Sequence, residues 1–207
     1  EEVCGDEIDE DCDGTATTCA PDGTLSSSTA GATLTGAGSE QFGDVLAVGD
    51  VTGDGRNELL VGAPGQNGSG TVYVFSSVGR ASSLTTSDAA ALRVGVDAKR
   101  SLPSDLAVAD IDGDGTNDLV ASSAYPGAVW VESGPVSGVG VMGDNGATVA
   151  WESSFNFGAS IAADDFSGDG AADLLIGAPS DAREADGAGS VWLLSLIHIS
   201  EPTRRYE

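Results

Sequence analysis

The chain has 207 residues, with 33 Asp or Glu against 8 Lys or Arg, a formal net charge of −25. Such a surface repels phosphate backbones and anionic lipid headgroups, so general nucleic-acid binding and polybasic membrane attachment are excluded. The 40% hydrophobic content falls in short regular runs, which argues against a disordered acidic tail. None approaches the ~20 apolar residues of a bilayer-crossing helix, so no membrane insertion is expected.

From the N-terminus, the first stretch reads EEVCGDEIDEDCDG, Glu1 to Gly14. Cys4, Cys12 and Cys19 all fall within the first nineteen residues. One disulfide and a spare thiol is the simplest arithmetic, with the pairing open, and an export route fits it. The chain starts at Glu1 with no signal-like apolar stretch, so an upstream segment is expected to have been removed. Asp9, Asp11, Asp13 and Gly14 form D-x-D-x-D-G, the opening half of a calcium loop, but Thr17 stands where an acid would close it. The stretch is similar to the MopE-type Cys/Asp metal-binding motif of bacterial surface and secreted proteins. Ion binding and a solvated acidic leader both remain open for it.

Beyond it the chain repeats. Acidic, Gly-containing turns begin at Asp50, Asp110 and Asp165. The turns separate short apolar runs with β character: Asp44–Val48, Glu58–Val61 and Thr71–Phe75, then Asp105–Ala109, Asp118–Ala121 and Ala128–Val131, then Ser160–Ala163, Asp173–Ile176 and Ser190–Leu194. A fourth strand is expected beside each trio, at Ala32–Thr35, Ala90–Val94 and Ala147–Trp151. Four antiparallel strands per unit make one blade of a β-propeller. Tyr73, Trp130 and Trp192 lie on the third strands, where buried blade packing is expected rather than a sugar- or peptide-binding face.

The stretch QFGDVLAVGDVTGDGRNELLVGAPGQNGSGTVYVF resembles the FG-GAP repeat of the integrin α-subunit propeller. Phe42-Gly43 supply the FG element and Gly62-Ala63-Pro64 the GAP; Phe157-Gly158 and Gly177-Ala178-Pro179 repeat both. The middle unit departs, with Leu102-Pro103 in place of FG and Ser122-Ser123-Ala124 in place of GAP. The resemblance covers roughly residues 30–194 and implies a propeller fold and ion binding.

Calcium takes six to eight oxygens, which alternate side chains and one carbonyl of a sharp turn can supply. The first turn offers Asp50, Thr52, Asp54, the Arg56 carbonyl and Glu58. The second offers Asp110, Asp112, Asp114, the Thr116 carbonyl and Asp118. The third offers Asp165, Ser167, Asp169, the Ala171 carbonyl and Asp173. EF-hands are excluded, because the twelfth positions are Val61, Ala121 and Ile176 and strands flank the turns. Zinc and copper want nitrogen or sulfur, which these turns lack. Four carboxylates in the second turn, against three in each of the others, make it the tightest expected site. About three calcium ions are expected, with Asp9, Asp11 and Asp13 as a candidate fourth site.

Paired carboxylates can perform acid–base chemistry, but here they converge on one small volume where a dication would hold them ionised. The only His, His198, lies in LIHISEPTRRYE (Leu196–Glu207), which breaks the repeat rhythm and resembles translated sequencing-adaptor read-through. No enzymatic role is therefore expected. The expected architecture is all-β: residues 1–20 a short irregular Cys/Asp-rich segment, 21–195 a partial propeller of about three four-stranded antiparallel blades, 196–207 a non-native tail. Three blades do not close a ring, so further blades are expected from a longer chain. The expected role is a calcium-binding adhesion or recognition scaffold of a secreted or cell-surface bacterial protein, with a protein or glycan ligand. The alternative is the accessory propeller of a larger secreted enzyme.

Overall fold

The computed structural model describes residues 30–65, 68–76, 78, 82–95, 102–125, 127–150, 156–182 and 187–195. The chain divides into two units, Glu1–Gly31 and Ala32–Glu207. Only the last two residues of the first unit are among those described, so the architecture below is that of the second. The Cys/Asp-rich segment and the tail from Leu196 lie outside the described residues.

The second unit is built from strands. Strand β1 (Ala32–Thr35) is followed by β2 (Val45–Gly49), β3 (Glu58–Ala63), β4 (Thr71–Phe75), β5 (Ser82–Thr85) and β6 (Ala91–Val94). Then come β7 (Asp105–Ala109), β8 (Asp118–Ser123), β9 (Ala128–Glu132), β10 (Gly138–Val141) and β11 (Gly146–Ala150). The last three are β12 (Ser160–Asp164), β13 (Asp173–Ala178) and β14 (Ser190–Leu194). Among the described residues no helix is long and apolar enough to cross a membrane.

Three antiparallel sheets form the repeating units, as the runs predict. The first blade is β2-β3-β4-β6, the second β7-β8-β9-β11 and the third β12-β13-β14. The expected outer strands at Ala90–Val94 and Ala147–Trp151 are found as β6 and β11; Trp151 itself lies outside the described residues. The expectation for Ala32–Thr35 needs correcting. This segment is a strand, but it pairs in parallel with β5 instead of completing a blade. Strand β10 likewise adds to β6 in parallel, giving the first sheet a fifth strand. Neither β5 nor β10 stands out in the sequence, because both are only four residues long, SSLT is mostly polar and GVGV is half glycine.

The blades stack through faces set by the two-residue period of a strand. In each blade one cross-strand row carries an aliphatic residue on the first strand and an aromatic on the third. These rows are Leu46–Val61–Tyr73, Leu106–Ala121–Trp130 and Ile161–Ile176–Trp192. We call this the head face, and the opposite one the tail face. The head face of the second blade (Leu106, Leu119, Ala121, Trp130) packs on the tail face of the first (Val45, Leu60, Val72, Val74). The head face of the third (Ile161, Leu174, Ile176, Trp192) packs in the same way on the tail face of the second (Val120, Val129, Val131). Full burial of each such Leu or Val contributes about 1.5–3 kcal/mol, so these two interfaces are the core. The head face of the first blade is covered over its outer strands by Leu34 of β1 and Leu84 of β5, which pack with Val61, Tyr73 and Phe75.

Among the described residues, one ion pair crosses between blades. Arg93 Nε on β6 lies 3.0 Å from Glu132 Oε1 on β9, with both side chains more than nine-tenths buried. Arg93 Nη1 also donates to the carbonyls of Ser137 and Gly138, and Glu132 Oε2 accepts from the Gly143 N–H. Removing one partner leaves a buried charge without its counter-charge, whereas an apolar pair does not. Glu132→Ala is expected to cost about 3–5 kcal/mol in urea unfolding, and the double variant Arg93→Met/Glu132→Leu less than that.

Candidate metal centres

Each turn between the first and second strand of a blade runs over nine positions: Asp50–Glu58, Asp110–Asp118 and Asp165–Asp173. Glycines at the fourth position have φ of +73°, +75° and +76°, and those at the sixth +83°, +89° and +95°. Side chains with a Cβ rarely adopt these angles, so Gly is required where the backbone curls around the first side chain. That side chain is an aspartate, and its contacts are the same in all three turns. Oδ1 accepts the N–H groups of the fourth and fifth residues, and Oδ2 accepts that of the sixth. The fifth-position carboxylates, Asp54, Asp114 and Asp169, accept the N–H groups of Arg56, Thr116 and Ala171.

The ninth residue begins the second strand and turns its carboxylate back under the loop. Glu58, Asp118 and Asp173 are each buried to within 1%. Glu58 Oε2 accepts from Val51 and Thr52, Asp118 Oδ2 from Ile111, and Asp173 Oδ2 from Ser167. Glu58 Oε1 is buried with no hydrogen-bond partner, a costly state for a carboxylate oxygen unless a cation meets it. In the second turn, oxygens of Asp110, Asp112 and Asp118 lie within 4.8 Å of one another. This is the only such acidic trio among the described residues. Burial pushes the Asp118 carboxyl above its ordinary range, and the Asp112 charge adds to the rise. The N–H groups of Gly134 and Ile111 pull in the opposite direction. A positive charge at this point would relieve both the desolvation and the repulsion.

Some of the predicted ligands are thus brought together and others are not. Asp110, Asp112 and Asp118 converge, whereas Asp114 stands outside the trio and is committed to the Thr116 N–H. Thr52 and Ser167 meet the ninth residue through their backbone N–H groups. Asp9, Asp11 and Asp13 lie outside the described residues.

Sequence reasoning missed the links between turns. The Asn117 side chain donates to the Asp50 carbonyl at 3.0 Å, and the Ala172 N–H to the Asp110 carbonyl at 2.7 Å. Both donors sit at the eighth position of the following turn. The apolar second position (Val51, Ile111, Phe166) was visible as a repeated feature but has no ligand chemistry to draw attention to it.

Three strand-turn-strand units with stacked faces and an acidic turn each define a propeller-type repeat array. The FG-GAP repeat family matches residues 42–75, 102–131 and 157–194, so the chain carries three FG-GAP repeats. No curated protein matches it.

The oxygen-only donor set, the partnerless Glu58 oxygen and the acidic trio fit a hard divalent cation. The geometry also separates two kinds of carboxylate. Asp118→Ala leaves the Ile111 and Gly134 N–H groups without their acceptor and is expected to cost about 1–3 kcal/mol even in EDTA. Exposed Asp112→Ala is expected to stay within about 0.5 kcal/mol under the same conditions, as read by urea unfolding.

Proposed function

We propose that this chain is a calcium-stabilised FG-GAP propeller module that works outside the cell as a non-catalytic scaffold for adhesion or recognition. The observation that carries the reading is the convergence of Asp110, Asp112 and Asp118 beside a ninth residue buried in every turn. The second turn would hold the ion through these three carboxylates, the first through Asp50 and Glu58 with the Thr52 hydroxyl at the place of Asp112, and the third through Asp165 and Asp173 with the Ser167 hydroxyl there. The bound ion supplies positive charge; the chain supplies the rest. The first aspartate closes the loop on its own amides, and the ninth anchors the loop to the second strand. Links through Asn117 and Ala172 then pass that order to the neighbouring turn.

A rigid set of turns at one end of the blades suits the capture of a protein or glycan ligand, because the loops meet it already ordered. The acidity fits the same reading: self-repulsion at −25 loosens the ion-free fold, and cations offset it.

A site with a tenfold excess of ion over its dissociation constant adds about 1.4 kcal/mol, so three sites shift a marginal fold visibly. EDTA is expected to lower the melting temperature and added calcium to restore it; an unchanged melt overturns the reading. Calorimetric titration is expected to show the tightest site lost in Asp112→Ala, with Asp54→Ala and Asp169→Ala sparing it.

A further inference from the structure

The contacts between neighbouring turns run through single peptide groups. In the first turn the Asp50 carbonyl and the Val51 N–H belong to one such group. The carbonyl accepts the Asn117 side-chain amide at 3.0 Å, and the N–H donates to Glu58 Oε2 at 3.1 Å. The next group repeats the arrangement. Its Val51 carbonyl accepts the Val136 N–H at 2.8 Å, and its Thr52 N–H donates to Glu58 Oε2 at 3.1 Å. In the second turn the Asp110 carbonyl accepts the Ala172 N–H at 2.7 Å, while the Ile111 N–H of the same group donates to Asp118 Oδ2 at 2.9 Å. Each relay ends on the buried ninth carboxylate of the preceding turn. A peptide group bonded at its carbonyl is more strongly polarised, so the donor there strengthens its hold on the carboxylate.

The donors are themselves tied to the next ninth residue. Asn117 and Ala172 stand at the eighth position, directly before Asp118 and Asp173. Val136 stands two residues beyond Gly134, whose N–H donates to Asp118 Oδ1 at 2.9 Å. A Cβ on Gly134 would meet the Asn117 carbonyl oxygen at 2.3 Å and Thr116 Cγ2 at 2.8 Å, so the absence of a side chain lets this segment lie against the second turn. Its other side reaches the first turn, where a Cβ on Gly53 would lie 3.7 Å from Pro135 Cβ. The segment Gly134–Val136 therefore grips Asp118 with one amide and the Val51 carbonyl with another.

We propose that the first and second turns bind their ions with positive coupling, and that Asn117 is the positioning residue that carries it. The proposal rests on the reading of these turns as ion sites. Asp118 is a ligand and an anchor at once. Holding it in the second turn also holds Asn117 beside it and the Gly134–Val136 segment bonded to it. The two peptide groups over Glu58 are then already backed when the first turn fills, and ordering them costs less. By linkage, a filled first turn favours the second by the same factor. Two dications in neighbouring turns repel, but that repulsion acts across exposed loops and is screened by salt, whereas the hydrogen-bonded path is screened much less.

Amide NMR titration of the full chain with calcium, in salt that screens the exposed charges, reads each turn through Gly55, Gly115 and Gly170. Asp112→Ala, which empties the second turn, is expected to raise the calcium concentration needed to fill the first at least about fivefold. Asn117→Leu is expected to weaken the first turn at least about threefold and to leave the second, which fills earlier, within about twofold. Together the two substitutions are expected to be less than additive, because both break one link. In EDTA, Asn117→Leu is also expected to speed amide exchange at Val51 and not at Gly170. Asn117→Ala gives the same readings without crowding the turn. A first turn indifferent to Asp112→Ala or to the Asn117 variants, or additive losses, overturns the coupling and leaves ion binding intact. No calcium-dependent shift at Gly55, Gly115 or Gly170 overturns the ion-site reading, and the coupling with it.

Discussion

The first aspartate of each turn gathers three backbone N–H groups, and much of the remaining architecture follows from that. A loop that curls back on itself leaves its amides pointing inward, and they must be satisfied. Asp50, Asp110 and Asp165 satisfy them with one side chain each, which sets the curvature of the turn and the register of the strands on either side. Once the curvature is set, the ninth residue falls beneath the loop with its carboxylate buried. The electrostatic problem of the site is created there, since burial and neighbouring charge both disfavour the ionised form. In the second turn that tension shows in the raised Asp118 carboxyl, and in the first turn as an oxygen of Glu58 without a partner.

The same turns also connect the blades. The Asp50 and Asp110 carbonyls are each bonded by the eighth residue of the following turn, and the Val136 N–H reaches the Val51 carbonyl. These polar links lie beside the apolar stacking of head on tail faces, so the order of a loop and the packing of a blade are not independent. The buried Arg93–Glu132 pair fastens the outer strand of the first blade to the third strand of the second as well. Each interface therefore combines an apolar centre with a few fully satisfied polar ties. That combination specifies one stacking register where apolar contact alone would permit several.

Much of the fold was legible in the sequence. Val, Ile and Leu alternate on either side of Asp-x-x-Gly-x-Gly turns, and a period of two on strands of five or six residues leaves little ambiguity about which face is which. The aromatics at Tyr73, Trp130 and Trp192 stood out for the same reason, and they pack inward as expected, Trp130 and Trp192 between blades and Tyr73 under the β1–β5 pair. What did not show was the parallel addition of β10 to β6 and of β1 to β5. Parallel pairing joins segments distant in the chain, and short runs such as GVGV carry no local mark of their partner. The convergence within the second turn was only partly legible. Alternating acids announced a cage, but Asp114 is drawn off to the Thr116 amide while Asp112 faces Asp110 and Asp118.

The sequence by itself determined the repeat, the strand periodicity and the chemistry of the turns, because these depend on residues close in the chain. Only the tertiary structure decided which faces are covered. Val72, Val129 and Val191 occupy equivalent places, yet burial of the first two and exposure of the third depend on whether another blade lies alongside. Burial is a property of neighbours brought together from far along the chain, and no local pattern of residues records whether a neighbour is there.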